Sequence, residues 1–136
     1  MKVLLERKND TYWFNGFGKQ PIPIPIDNGP NGASPMELLL MSVGACSAVD
    51  VVSILQKQRQ QITDYKMEIN GERVAQQQAK PFKSIHIAIL LEGDIDPMKA
   101  KKAAQLSFQK YCSVSLTLEP QVAITYDIVV NGVKTS

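Results

Sequence analysis

The 136-residue sequence has few of the residues that would settle a function class at once. It has a single histidine, His86, so it cannot supply the Cys/His ligand set that is typical of a zinc site. Fifteen Lys and Arg stand against thirteen Asp and Glu, and no basic cluster is interleaved with aromatic residues. This balance argues against nucleic-acid binding. We therefore expect no metal site and no nucleic-acid partner.

The sequence also lacks a segment typical of a secretion signal or a membrane anchor. Few apolar residues precede Glu6, fewer than a secretory hydrophobic region needs. The longest nearly apolar run, Leu38 to Val49, is shorter than the roughly 20 residues that span a bilayer. We expect a cytoplasmic, soluble protein with no membrane contact.

Only two cysteines are present, Cys46 and Cys112. In a reducing compartment they would be free thiols or a transient redox pair, since permanent disulfides are rare there. A chain of this length can bury a core without a crosslink. We expect one domain over residues 1–136.

The order of the predicted elements indicates an α+β fold. Two short strands in Lys2–Phe17 form a predicted hairpin, and the period of two in Pro21–Ile26 (PIPIPI) predicts an edge strand with its isoleucines on the core. The same prolines leave a proline-rich peptide ligand as the alternative. Further predicted elements are a loop over 27–33, a second hairpin of strands over Tyr65–Val74 and Ser84–Leu91 joined by a glutamine-rich turn, a helix from Asp96-Pro97 to about Tyr111, and a strand over Gln121–Val130.

A long helix is predicted to begin at Ser34. Ser34 is the N-cap, Pro35 takes the first helical position and Glu37 completes a capping box. From Met36 to about Gln58 the helix is apolar on almost every face until its last turn, which predicts a central, buried helix. Because one sheet cannot cover such a helix on all sides, we infer a homodimer.

One stripe of this helix is small and partly polar. At 100° per residue, Cys46 and Asp50 lie within about one third of the circumference. Alone, Cys46 is most simply a small core residue. The second cysteine opens the alternative of a redox pair, in which Cys112 is the less reactive thiol because it ends a predicted helix. The stripe is completed by Ser42, Val49 and Ser53.

A thiolate at Cys46 needs a cation that its helix does not provide. Cys46 lies about three turns beyond the helix N-terminus, and the carboxylate of Asp50 one turn later disfavours a thiolate. Asp50 would either hold an arginine or accept a hydrogen bond in a polar pocket, and the sequence leaves both open. The three arginines that could provide the charge, in this chain or a partner, are Arg7, Arg59 and Arg73.

The residues around both cysteines resemble the OsmC/Ohr family of osmotically inducible and organic hydroperoxide resistance proteins. The resemblance covers nearly the whole chain in element order and is closest to an OsmC-like branch with the helix motif CSAVDVVSILQK. It implies an OsmC-like α+β fold of antiparallel sheets with a central buried helix. It also implies an intertwined homodimer with two sites at the subunit interface. The resemblance is carried by Ser34-Pro35-Met36-Glu37-Leu38, Gly44-Ala45-Cys46 and Tyr111-Cys112-Ser113-Val114.

The resemblance also implies an activity, which is thiol-dependent reduction of organic hydroperoxides. Cys46 would be the peroxidatic thiol and Cys112 the resolving thiol. The family resemblance implies reduction by an external dithiol or a small thiol, and no metal, flavin or other cofactor. An apolar wall that would favour organic peroxides is expected from Leu39, Val43 and Val49.

The candidate supporting residues are Glu37, Asp50 and Arg7. Glu37 lies one position later than the family's glutamate, whose place is taken by Met36, and its spacing from Ser34 already explains it as a helix cap. Arg7 is the nearest candidate for the family's activating arginine.

Two other function classes compete with a peroxidase. One is a non-catalytic redox-sensing or small-ligand-binding dimer. The other is an acyl or thioester hydrolase that uses Cys46, which would need a base. His86 falls in a predicted strand, where a structural histidine is the simpler interpretation.

Overall fold

A computed structural model of the chain describes residues 1–75 and 77–135. It contains two compact units, Met1–Leu39 and a second one that begins at Leu40. Their strands and helices form the mixed α+β fold that the sequence predicts. The assignment of the whole chain to one domain stays a prediction.

The first unit is a three-stranded antiparallel sheet. Its strands are β1 (Leu4–Arg7), β2 (Phe14–Phe17) and β3 (Ile24–Ile26), in the order β1-β2-β3. The predicted hairpin and the edge position of β3 are confirmed. The expectation that the isoleucines lie on the core is wrong for Ile22 and Ile24, which are 68% and 50% exposed in this chain, whereas Ile26 is half-buried. A period of two aligns side chains on one face but does not determine what covers that face.

A short loop joins β3 to the first helix and is organised by Asp27. Its carboxylate is buried and accepts hydrogen bonds from the backbone N–H and side-chain amide of Asn31, at 3.1 and 2.9 Å. Its own N–H donates to the carbonyl of Ala33 at 3.0 Å. These hydrogen bonds within the predicted loop hold it in a defined conformation directly before the helix begins.

Helix α1 (Pro35–Lys57) begins with the predicted capping box. The Ser34 N–H donates to Glu37 Oε1 at 2.8 Å, and the Glu37 N–H donates to Ser34 Oγ at 3.2 Å. Hydrogen bonds from the backbone N–H and the hydroxyl of Ser34 to the Glu37 carboxylate lower the pKa of this exposed group. The helix start is thus fixed locally, as the sequence predicts.

Only one stripe of α1 is buried in this chain. The sequence analysis predicted a helix surrounded by protein on all sides, and a single chain does not provide those contacts. The exposed apolar side chains include Met41 at 53% and Val49 at 68%. α1 is also long and apolar enough to cross a bilayer, with a mean hydropathy of 2.1, which corrects the estimate made from the shorter run Leu38–Val49. A core helix has the same properties. The buried stripe consists of Val43, Gly44, Ser47, Val51 and Leu55.

The second unit has a four-stranded sheet in the order β4-β5-β6-β7. β4 and β5 form the predicted second hairpin and are longer than expected, while β5 and β6 run parallel. The strand β7 was not predicted, although Asn131 and Gly132, both with positive φ, form the two-residue turn that leads into it. Residue 76, in the glutamine-rich turn, lies outside the described residues. The strands are β4 (Gln61–Arg73), β5 (Phe82–Asp94), β6 (Ala123–Val130) and β7 (Val133–Thr135).

Three helical segments follow β5. Helix α2 (Pro97–Leu106) has Asp96 as its N-cap, whose carboxylate accepts from the Met98 N–H at 2.9 Å. It continues into a π-helical turn (Ser107–Tyr111) and, after Cys112, into helix α3 (Ser113–Leu118). The sequence predicted α2 but neither the π-helical turn nor α3. α2 packs on β6, and Phe108 stacks on Tyr126 with ring centroids 4.6 Å apart.

Candidate thiol site

The structure brings the two cysteines together. Cys46 is half-buried on α1, whereas Cys112 is completely buried. Their side chains lie close enough for Cys46 to raise the pKa of Cys112, and both are free thiols. The two residues of the predicted redox pair are therefore neighbours in space, and their pairing stays a prediction.

The π-helical turn explains how Cys112 reaches α1. The Cys112 N–H donates to the Ser107 carbonyl at 2.7 Å, a hydrogen bond between residues five positions apart. In a regular α-helix, residues at this spacing point about 140° apart. The wider turn lets both side chains contact α1, because the Ser107 hydroxyl donates to Asp50 Oδ2 at 2.8 Å while the Cys112 thiol meets Cys46.

The Cys112 thiol is held in its neutral form. Burial raises its pKa, hydrogen bonds with Ser115 partly oppose this effect, and the interaction with Cys46 raises the pKa further. The sequence placed Cys112 at the end of a helix. In the structure it stands between the π-helical turn and α3, where its carbonyl accepts from Ser115 Oγ at 3.0 Å and from the Leu116 N–H at 3.0 Å.

Asp50 accepts a hydrogen bond, which is one of the two roles that the sequence left open. Its partner is the fully buried Ser107. Near it lies the hydroxyl of Tyr65, which is buried and has no hydrogen-bond partner among the described residues. Burial, and next the charge of Asp50, raise the pKa of Tyr65. Within residues 1–75 and 77–135, no arginine pairs with Asp50.

The three arginines have other partners or positions. Arg7 donates from Nε and Nη2 to the Thr11 carbonyl, at 3.3 and 3.1 Å. Arg73 donates from Nε to the Lys80 carbonyl at 2.6 Å. Arg59 follows α1 thirteen residues after Cys46, which corresponds to roughly 20 Å along a helix. Among the described residues, no hydrogen bond or ion pair joins Arg59 or Arg73 to Cys46, and the activation of Cys46 by any of the three arginines stays a prediction.

The predicted apolar wall is only partly available. Val43 is fully buried and Val49 is exposed, so Val43 cannot contact a ligand. Glu37 is accounted for by its cap on Ser34. In the described part of the chain, no three His, Cys, Asp or Glu side chains are grouped so that they could hold a metal ion.

His86 lies on the sheet and has polar partners there. Its Nδ1 is 2.7 Å from Thr125 Oγ1, and its Nε2 is 3.0 Å from Asp127 Oδ2. Lys134 completes this group at 3.3 Å from Asp127. These contacts support the interpretation of His86 as a structural residue and give the hydrolase hypothesis no base.

A cavity that the sequence analysis did not identify opens one helical turn beyond Cys46. Its volume is about 310 Å³. One wall of this cavity could have been recognised from the sequence, because three of the lining residues lie on the same stripe of α1 as Cys46. The lining residues are Asp50, Ser53, Ile54, Lys57 and Tyr111.

The chain is similar to known sequences and structures. Residues 27–127 match the family model described as OsmC-like protein. Protein YhfA of Escherichia coli (strain K12) is 42% identical over 101 residues, 74% of this chain and 75% of YhfA. A hypothetical protein from Aquifex aeolicus VF5 has a TM-score of 0.83 at 32% identity and covers 96% of both chains. The organic hydroperoxide resistance protein OhrB of Bacillus subtilis shares the fold, with a TM-score of 0.63 at 18% identity over 94% of this chain and 96% of OhrB.

Proposed function

The chain belongs to the OsmC-like protein family, and from this premise we propose that it is a thiol-dependent peroxidase that reduces organic hydroperoxides. The observation that carries the proposal is the proximity of the Cys46 and Cys112 thiols. Two thiols in contact can be oxidised to a disulfide and reduced again without a large movement of the backbone. The name of OhrB supports an organic hydroperoxide as substrate.

The half-exposed Cys46 is the peroxidatic thiol in this proposal. Its sulfur attacks the terminal oxygen of the hydroperoxide, the O–O bond breaks, and the thiol proton ends on the departing alkoxide to give an alcohol. Cys46 becomes a sulfenic acid. Its exposure is what allows a substrate to reach it, whereas the buried Cys112 is shielded from the peroxide.

Cys112 resolves the sulfenic acid. Its sulfur attacks the Cys46 sulfur, water leaves, and a Cys46–Cys112 disulfide forms. An external dithiol, or two molecules of a small thiol, then returns two electrons and two protons. The neutral form of Cys112 suits this order of events, because the resolving thiol needs to react only after Cys46 has been oxidised.

A homodimer in the cytoplasm is the setting that we propose. The exposed apolar surface of α1 supports the dimer, since a helix of this hydropathy is normally covered. A reducing compartment is consistent with two free thiols in contact. The surface that would be covered includes Ala45, Ala48, Val49 and Val52.

The test is an anaerobic titration of thiols before and after addition of cumene hydroperoxide. We expect the loss of two thiols per chain within seconds and the formation of one intramolecular disulfide. In Cys112→Ser, the reaction should stop at a Cys46 sulfenic acid, which a dimedone adduct would reveal by mass spectrometry.

Cys46→Ser is the matched variant, and it should consume no hydroperoxide. Oxidation no faster than that of free cysteine, or equal rates for wild type and Cys46→Ser, would contradict the peroxidase proposal.

A redox sensor is the second candidate, and one observation favours it. Arg73 is hydrogen-bonded to the Lys80 carbonyl and Arg59 lies thirteen residues beyond Cys46, so oxidation of Cys46 would be slow unless Arg7, Lys57 or a partner chain supplies a cation. A sensor would form the same disulfide over minutes and would not turn over with excess thiol. The rate in the titration therefore separates the two candidates.

A further inference from the structure

The cavity beside the thiol pair carries both signs of charge. Asp50, Ser53 and Lys57 are spaced four and three residues apart on α1, so they follow one stripe of the helix. Tyr111, from the π-helical turn, forms the opposite wall. Among the described residues, no ion pair joins Asp50 to Lys57 or to any other side chain. The cavity thus has a carboxylate and an ammonium group without an ionic partner.

The cavity is next to the reacting sulfurs. Asp50 is one helical turn beyond Cys46, and Tyr111 directly precedes Cys112. Lys57 starts roughly 16 Å from Cys46 along the helix axis, but side chains on a helix lean toward its N-terminus, which brings the ammonium group back over Ser53. Neither cysteine lines the cavity, so a ligand that contacts both charges has to extend about one helical turn beyond Asp50 to reach Cys46.

Asp50, which lines the cavity, and Tyr65, which lies near Asp50 behind the cavity wall, each have a polar atom without a hydrogen-bond partner among the described residues. The Ser107 hydroxyl fixes one oxygen of Asp50 and leaves the other without a hydrogen bond from any described residue. The Tyr65 hydroxyl near Asp50 is buried without a partner in the same part of the chain. Buried polar groups without partners are uncommon, and they often mark a place where a ligand or water binds.

We propose that this cavity binds the zwitterionic end of an amino-acid-type thiol, which is the reductant of the Cys46–Cys112 disulfide. The ligand's ammonium group pairs with Asp50, and its carboxylate pairs with Lys57. Ser53 and Tyr111 offer hydroxyl groups for further hydrogen bonds. This inference rests on the proposed function, since it names the class of thiol that completes the cycle.

The negative charge of Asp50 explains why the reducing thiol would need a positively charged group of its own. The Asp50 carboxylate repels an approaching thiolate, because the two negative charges meet in a partly desolvated site. A thiol that carries an ammonium group neutralises Asp50 as it binds. Its thiolate attacks the Cys46 sulfur, which is the accessible one, and Cys112 leaves. A second thiol molecule attacks the mixed disulfide, so that the enzyme regains both thiols and the ligand leaves as its own disulfide.

The test measures reduction of the Cys46–Cys112 disulfide by four small thiols at equal thiolate concentration. They are L-cysteine with both charges, cysteamine with the ammonium only, 3-mercaptopropionate with the carboxylate only, and neutral 2-mercaptoethanol. The disulfide is prepared with diamide, so the test does not depend on the peroxidase step. Alkylation of the released thiols and mass spectrometry give the rates.

We expect L-cysteine to react about tenfold faster than either singly charged thiol, since one charge-assisted hydrogen bond contributes about that factor. Asp50→Asn, which can still accept the hydrogen bond from Ser107, should remove the advantage of the ammonium group. Lys57→Gln should remove the advantage of the carboxylate. Lys102→Gln, an exposed lysine of α2 that does not line the cavity, is the matched control and should keep the wild-type pattern.

S-Methyl-L-cysteine provides a second readout that needs no reaction. It should raise the melting temperature of the wild type and of Lys102→Gln, but not that of Lys57→Gln. Rates that follow thiolate concentration alone, whatever the charge, would overturn the inference. Cumene hydroperoxide could fail to form the disulfide while the four thiols still reduce it at rates that depend on their charges. That result would contradict the peroxidase proposal and support the proposed binding site.

Discussion

At the residue scale, the two sulfurs have different environments although they touch. Cys46 is half-buried on a long helix, while Cys112 is completely buried and hydrogen-bonded to its neighbours. Burial penalises a thiolate, so Cys112 retains its proton over a wider pH range than a free thiol does. This asymmetry assigns the roles in the proposed cycle. Nothing in the immediate sequence around either cysteine shows it, because burial depends on residues elsewhere in the chain.

The raised pKa of Cys112 predicts how the stability of the reduced protein depends on pH. The folded chain binds the thiol proton more tightly than the unfolded chain does, so the stabilising contribution is complete below the unfolded pKa, about 8.5. It is lost as the pH rises through the higher folded value. Urea unfolding of the reduced protein should therefore give a free energy of unfolding that falls as the pH rises above about 8.5.

Cys112→Ala is the control for that measurement. It removes the titrating thiol, and its free energy of unfolding should fall less steeply over the same pH range, leaving the contribution of Tyr65, whose pKa is also raised. Parallel pH profiles for wild type and variant would contradict the assignment.

At the element scale, the π-helical turn determines which side chains of this segment reach α1. It lets Ser107 donate a hydrogen bond to Asp50 while the Cys112 thiol lies near Cys46. The sequence predicted a helix through this region correctly, since Ala100, Ala103 and the cap at Asp96 are local signals. The wider turn is not a local preference. It forms because packing and hydrogen bonds to another element favour it over a regular helix.

Ser107→Ala tests the contact that this turn makes with α1. We expect a loss of about 2 kcal/mol in the free energy of unfolding, because a buried hydroxyl that donates to a carboxylate is removed. Urea denaturation provides the measurement. Thr117→Ala, which removes an exposed hydroxyl bonded to the Ser113 carbonyl on α3, should change the stability by less than about 0.5 kcal/mol. Equal effects of the two substitutions would show that the Asp50 contact contributes little.

At the scale of the whole molecule, the exposed apolar surface of α1 is the feature that one chain leaves unexplained. Val43, Val51 and Leu55 are fully buried, whereas Val49 is 68% exposed on the same helix. Exposure of such an apolar surface to water is unfavourable. In the proposed homodimer, a second copy of the chain covers it. The sequence predicted a homodimer because α1 lacks a polar face. The structure shows which apolar side of α1 is exposed in a single chain.

The prediction at this scale concerns the oligomeric state. Size-exclusion chromatography with light scattering should give twice the chain mass of 15.1 kDa. Val49→Glu should raise the dissociation constant of the dimer at least about a hundredfold, because it places an unpaired charge in the interface. Val133→Glu changes an equally exposed valine, 69% exposed on β7, and should leave the dimer intact. A wild type that elutes with the mass of one chain would contradict the homodimer.

The sequence by itself determined the features that depend on neighbours along the chain. The capping box of Ser34 and Glu37, the N-cap at Asp96 and the hairpin of β4 and β5 all follow from local spacing and alternation. The Asn131-Gly132 turn carried a local signal as well, although β7 was not predicted from it. Local hydrogen bonds and side-chain periodicity are short-range, so they can be recognised without knowing the fold.

Only the tertiary structure decided which distant residues form the site. The contact of Cys46 with Cys112, the hydrogen bond from Ser107 to Asp50 and the burial of Cys112 each join residues far apart in sequence. Whether such residues meet depends on how α1 and the segment after α2 pack, and many packings satisfy the same periodicity. The cavity at Lys57 appeared for the same reason, because one of its walls belongs to α1 and the other to the π-helical turn.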